Sequence, residues 1–198
     1  MIVIDMESTG VDPIKHSLLS LGAVDFKNPK NQFYMECRAW EGAHIDDEAL
    51  LVNGFSKEQA FDQTKATDRE LVEKFLTWVE AIPERTLAGQ HPATDRDFLK
   101  YTCFRHHINW PFAQRSIDLH TVAYYHMIKR GVSIPLKNGH SALNLDAILR
   151  YVGMETEPRP HNGLTGAKVE AETFSRLFYG KSLLSDYERL PLPDFLKL

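Results

Sequence analysis

The chain has 198 residues, 43% of them hydrophobic and 11% aromatic, which suffices for one sizeable core and is too apolar for a disordered chain. A net charge of −4 excludes a broad positive field, so any grip on a polyanion must be local. No apolar run reaches bilayer length, and Cys37 and Cys103 lack metal-ligand spacing, so the expectation is a soluble cytoplasmic protein with ordinary thiols and no membrane partner.

The segment MIVIDME, residues 1–7, opens the chain as a strand. Alternation puts Val3, Asp5 and Glu7 on one face, with Ile2, Ile4 and Met6 on the other. Two acids held side by side repel. A hard divalent cation between them resolves the conflict; two unrelated acids at a solvated strand end is the alternative reading. Residues 17–26 and 31–39 continue as strands around the polar turn NPKN, giving a three-stranded meander. Leu71, Phe75, Trp78 and Ile82 then fall at helical spacing, with Thr67 or Asp68 as cap and Pro83 beyond the end. TLAG (86–89) reads as a short strand, followed by a helix from about Asp95 to His107 that turns Phe98, Leu99 and Cys103 inward.

Another helix begins near Asp118, and residues 141–152 read as a helix capped by Ser141 and ended by Gly153. The last helix covers 164–178. On it Lys168, Glu172 and Arg176 recur every four residues and predict an exposed ion-pair ladder, while Glu170 shares a face with Ala167, Phe174 and Leu177. The basic stretches, Lys27 with Lys30, Arg105 with His106 and His107, and Lys129 with Arg130, read as solvated faces. No repeat or linker divides the chain, so residues 1–180 form one domain and residues 181–198 a tail whose Leu and Phe pack on the domain or on a partner.

Taken in order, these segments resemble the DnaQ-like exonucleases of the subclass with a histidine base. IDMESTGVDP followed by LLSLGAV matches the first motif, with the small Ser8, Thr9 and Gly10 after the acids. AGQHPATDRDFL matches the second more loosely: Asp95 stands three residues before Phe98, but Gln90-His91 replaces the usual His-Asn. IDDEALLVNGFSKEQ resembles the segment that packs against the terminal nucleotide, and GHSALNLDAILRYVG the penultimate helix. The resemblance implies an α/β, ribonuclease H-like three-layer fold with a central mixed five-stranded sheet flanked by helices. It implies 3′-to-5′ removal of nucleoside monophosphates from single-stranded DNA or RNA, with two Mg²⁺ or Mn²⁺ ions. Asp5, Glu7 and Asp95 become metal ligands, His161 the general base, and the backbone groups around Ser8, Thr9 and Gly10 contacts to the end nucleotide, with Phe55 and Asn53 stacked on its base; an ordinary packing anchor is the alternative for Phe55.

The third motif departs from the pattern. An acid belongs five residues after the histidine, and here Gly166 stands there. Glu170 lies one turn further on the same helical face, so its longer arm is a candidate metal ligand in compensation; an edge residue with its carboxylate in water is the plain alternative. On these grounds Gly166→Asp is expected to restore the fourth carboxylate. Three readings stay open: an active exonuclease with a modified third motif, a weakened module that binds nucleic-acid ends without cleaving, and a structural partner of a polymerase or another nucleic-acid enzyme; a polymerase or a second copy of the chain is the expected protein partner.

Overall fold

The computed structural model describes residues 1–197. Strands β1 (Ile2–Ser8), β2 (Leu18–Asp25) and β3 (Gln32–Glu36) form the antiparallel meander, and β4 (Leu87–Gly89) and β5 (Ser116–Asp118) extend it in parallel. The order is β3-β2-β1-β4-β5, which leaves β1 central. Helices α1 (Asp47–Asn53) and α2 (Lys57–Ala60) follow the meander, and α3 (Asp68–Glu80) and α4 (Ala93–Arg105) flank β4 in sequence. The chain then runs through α5 (Leu119–Lys129), the small hairpin β6 (Leu136–Lys137) and β7 (His140–Ser141), α6 (Leu145–Tyr151) and α7 (Gly163–Tyr179).

The period-two pattern of β1 sorts the two cores. Val3, with Val24 and Ala88, packs against apolar side chains of α5, α6 and α7, whereas Ile2 and Ile4, with Leu21 and Ala23, pack against those of α3 and α4. The result is three layers around a mixed five-stranded sheet, the ribonuclease H-like architecture that the resemblance implies. Both cysteines are buried and free.

One of the two cap candidates of α3 holds, and three local expectations need correction. Thr67, not Asp68, caps α3, in a reciprocal box with Glu70. Asp68 is instead buried, accepting hydrogen bonds at 2.9 Å from Arg105 Nη2 and at 2.9 Å to His106 Nε2, so that basic stretch ties α4 to α3 rather than facing solvent. The helix expected over 141–152 starts at Leu145 under Asn144; Ser141 belongs to the hairpin, whose turn residues Asn138 and Gly139 have φ of +53° and +79°. Asn-Gly is a strong two-residue hairpin signal, overlooked beside the helical spacing that follows.

The third correction concerns α7. Glu172 and Arg176 are buried, at 0% and 1% exposure, and form no exposed ladder. Arg176 Nε donates to Glu172 Oε1 at 2.8 Å, while its Nη1 and Nη2 reach the carbonyls of Val152 at 3.0 Å, Pro191 at 3.1 Å and Tyr187 at 3.2 Å. Glu172 Oε2 accepts the backbone amides of Leu183 and Leu184 at 2.8 and 3.1 Å. Four-residue spacing shows that two side chains meet, but not what covers them; here the tail does, with Leu184 and Leu196 buried.

Candidate active site

The first turn of α7 lies directly on β1 and β2 because neither side presents a side chain there. A Cβ on Gly22 would stand 2.1 Å from the carbonyl carbon of Gly163, and one on Gly163 would stand 2.8 Å from the carbonyl oxygen of Asp5. Asn162 caps the helix, its Oδ1 accepting the amides of Leu164 and Thr165 at 3.1 and 3.2 Å. This close approach sets α7 against the strand that carries the two leading acids.

Asp5 and Glu7 project from β1 on the α7 side. Asp95 comes from the first turn of α4, where it is buried and is not the cap: Pro92 holds that position. Glu170 comes from α7 and is buried as well, its Oε2 3.1 Å from the point where a Cβ on Gly89 would sit. A fifth carboxylate, absent from the sequence reading, is Glu157. It lies in the segment between α6 and α7, its side chain 7% exposed, with Oε2 3.6 Å from His161 Nδ1. Its only sequence signal is an acid close before the histidine, too common a pattern to single out.

The electrostatics of these acids agree. Burial raises the Asp5 carboxyl well above the ordinary range, reinforced by the charges of Glu170, Asp95, Glu7 and Glu157. Burial likewise raises Glu170, with Asp95 adding to it and the backbone amide of Gln90 opposing. Glu7 is pushed up to about 8 by burial and then by Glu157 and Asp95. Burial takes Asp95 to about 7 against the pull of the Asp95 and Met6 amides, and takes Glu157 to about 7 with help from Asp146. His161 moves the other way, held below the usual histidine range by burial and by the charge of Arg159, so its imidazole is neutral near pH 7.

The donor set fits a hard divalent cation. Glu170 Oε2 and Glu157 Oε1 are buried acceptors with no hydrogen-bond donor, which is what a cation site leaves open. Among the described residues no three His, Cys, Asp or Glu side chains converge into a ready-made cage. Like charges spread when nothing positive lies between them, so the orphan oxygens are the more informative observation.

The expected nucleotide contacts divide. Thr9 is fully buried: its hydroxyl donates to the His44 carbonyl at 2.7 Å and accepts the Ser17 amide at 2.9 Å. Asn53 is also committed, donating from Nδ2 to the Ser8 carbonyl at 3.0 Å and accepting the Phe55 amide at 3.2 Å. Both brace the scaffold, and Asn53, which also lines the pocket beside His161, has a second amide hydrogen and a second lone pair besides those in use. Ser8, whose hydroxyl donates to the Gly10 carbonyl at 2.6 Å, closes the end of β1. Gly10 has no room for a side chain, since a Cβ would meet the His16 ring at 2.3 Å. Phe55 lies with His161, Tyr34 and Asn162 around a pocket of about 230 Å³, and Lys65 Nζ stands 4.5 Å over its ring. A separate cleft of about 550 Å³ beside Trp40, Phe61 and Asp68 contains none of the five acids.

With the site in place, the relatives are informative. The profile of the exonuclease family matches residues 2–174. The chain belongs to the exonuclease family. By that membership it is a phosphodiester hydrolase, in line with the DnaQ-like resemblance of its motifs. None of the curated proteins matches. Among solved structures, the nuclease domain of 3′hExo, a DEDDh family member bound to rAMP, superposes with a TM-score of 0.69 at 20% identity, covering 92% of this chain and 93% of that one. Cell-death related nuclease 4 (CRN-4) gives 0.71 at 15% identity, over 97% of this chain and 71% of that one. E. coli exonuclease I in its ssDNA complex gives 0.67 at 14% identity over 86% of this chain, which spans only 38% of that enzyme.

Proposed function

We propose that this exonuclease removes nucleoside monophosphates from the 3′ end of single-stranded DNA or RNA, with two divalent ions held by Asp5, Glu7, Asp95 and Glu170 and with His161 as general base. The observation that carries the reading is that half-buried Asp5 feels the charges of buried Glu7, Asp95 and Glu170, acids drawn from β1, α4 and α7, two of the four standing in the family's first motif, with a neutral histidine just before α7. Bound divalent ions supply the positive charge that a phosphodiester needs before water can attack it.

The chain's own groups then divide the work. Asp5 feels the charges of Glu7, Asp95 and Glu170 together, so it would be the acid common to both ions. Glu7 and Asp95 complete the negative wall, and Glu170 closes it from behind. His161 accepts the proton of the attacking water, a task that suits an imidazole uncharged near neutrality. The 3′-terminal nucleotide rests against the end of β1 at Ser8 and Gly10, with Phe55 at the edge of the pocket beside His161. A net charge of −4 suits an enzyme that holds a few nucleotides at an end.

Oligonucleotides labelled at the 3′ or the 5′ end, DNA and RNA alike, test the reading in Mg²⁺, in Mn²⁺ and in EDTA. The expected result is labelled mononucleotide from the 3′-labelled strands, only with a divalent ion, and none from Asp5→Ala. Release that starts from the 5′ label, or that persists in EDTA, would overturn it.

A further inference from the structure

The family's third motif lacks its acid at Gly166, and the chain's own geometry shows which carboxylate stands in the place. An ideal Cβ on Gly166 would lie 1.9 Å from Asp5 Oδ2 and 3.2 Å from Glu157 Oε1. Those are the two acids nearest that point; Glu170, the candidate one turn along the helix, is farther from it. An Asp side chain rooted at residue 166 would carry its oxygens into the space that the Glu157 carboxylate now borders.

Glu157 is also unusual for its setting. Its neighbours Glu155, Thr156, Pro158, Arg159 and Pro160 are all exposed, yet its own side chain is turned inward. Oε1 is buried and has no donor, and Oε2 stands 3.6 Å from His161 Nδ1. Burying a carboxylate oxygen without a partner is costly, and a loop otherwise in solvent had the option of leaving it in water. Orientation of His161 accounts for Oε2 alone. The unpartnered Oε1, beside Asp5 Oδ2, calls for something positive between them.

We propose that Glu157 is the acidic ligand that replaces the one missing at residue 166, its Oε1 holding a divalent ion jointly with Asp5. The inference rests on the metal-dependent reading above. It moves a ligand from the rigid helix α7 to the segment that precedes it, nine positions earlier in the chain.

Calorimetric titration of the full chain with Mn²⁺ tests this, with Glu157→Gln compared to the parent, to Asp5→Ala and to the exposed neighbour Glu155→Gln. The expected result is a loss of one bound Mn²⁺, or a weakening of at least about tenfold, in Glu157→Gln, with Glu155→Gln unchanged; tenfold corresponds to about 1.4 kcal/mol. If the parent binds no Mn²⁺, the metal reading itself fails. If Asp5→Ala abolishes binding while Glu157→Gln titrates like the parent, that reading stands and Glu157 is not a ligand. A Glu157→Gln variant that turns over slowly with unchanged Mn²⁺ affinity would likewise overturn the proposal and leave Glu157 as a positioning residue for His161. Should Glu157→Gln fail to fold, Glu157→Asp decides: its shorter arm keeps the charge but withdraws the oxygen, so unaltered Mn²⁺ affinity would count against the assignment.

Discussion

The carboxylate of Asp5 fills the space that any side chain on residue 166 would need, its Oδ2 lying 1.9 Å from the position of a Cβ there. Gly166→Asp would thus add its carboxylate only after the Asp5 side chain has turned aside. Gly166 is a fitted part of this cluster, and on the proposal above Glu157 supplies the acid that it lacks.

Gly166→Ala isolates that steric effect. Helix propensity favours Ala by about 1 kcal/mol, but a contact far inside van der Waals distance outweighs it locally by turning Asp5 away. We expect Mn²⁺ affinity to fall at least tenfold with little change in melting temperature, and Gly166→Asp to give no gain in cleavage. Parent-like Mn²⁺ titration of Gly166→Ala would show that Asp5 has room to spare.

The raised carboxyls set a pH dependence. With Glu7 pushed up to about 8 and Asp95 and Glu157 to about 7, the folded, ion-free protein holds protons that the unfolded chain releases near pH 4. The folded state therefore binds more protons across that window, and its stability falls as pH rises through it. Melting temperatures in EDTA should drop between pH 5 and pH 8, and Mn²⁺ should raise them far more at pH 8 than at pH 5. A flat profile in EDTA contradicts the clustering.

His161→Ala should retain Mn²⁺ binding and oligonucleotide binding while losing roughly two to four orders of magnitude in cleavage rate, the range of a general base. Single-turnover kinetics on a 3′-labelled strand give the number. A variant as fast as the parent removes His161 from the chemistry.

Arg176→Met tests the buried pair on α7. It leaves Glu172 charged and without its guanidinium, a loss expected to cost about 3–5 kcal/mol, and frees several carbonyls of the tail. Thermal unfolding should shift down by roughly 10 °C or more. A shift of only a degree or two would mean that the tail relaxes to let water in.

The sheet meander and the pairing of Asp5 with Glu7 were legible because strand alternation is short-range and strongly patterned: Val3 against Ile2 and Ile4 already distinguishes two faces. Asp95 and His161 needed the order of motifs, since a helix-start acid and a surface histidine are common on their own. Glu157 was illegible because nothing local marks it; only the fold brings the α6–α7 segment over β1. The bracing roles of Thr9 and Asn53 were illegible for the complementary reason, small polar residues beside a site being as useful for bracing a strand end as for holding a ligand. Arg176 was missed because its partners are backbone carbonyls of the tail, which carry no sequence signature.

The guanidinium of Arg176 gives the tail a bearing on the site that lies at the other end of the same helix. α7 is held at its start by the glycine contact with β1 and β2 and near its end by carbonyls at Tyr187 and Pro191. Glu170 sits between those two fixings. A cut in the chain after Gly180 would release one of them, so that proteolysis outside the acid cluster would loosen the arm that carries Glu170. The last residues of the chain thus act as a brace for the alignment of Glu170 with Asp5.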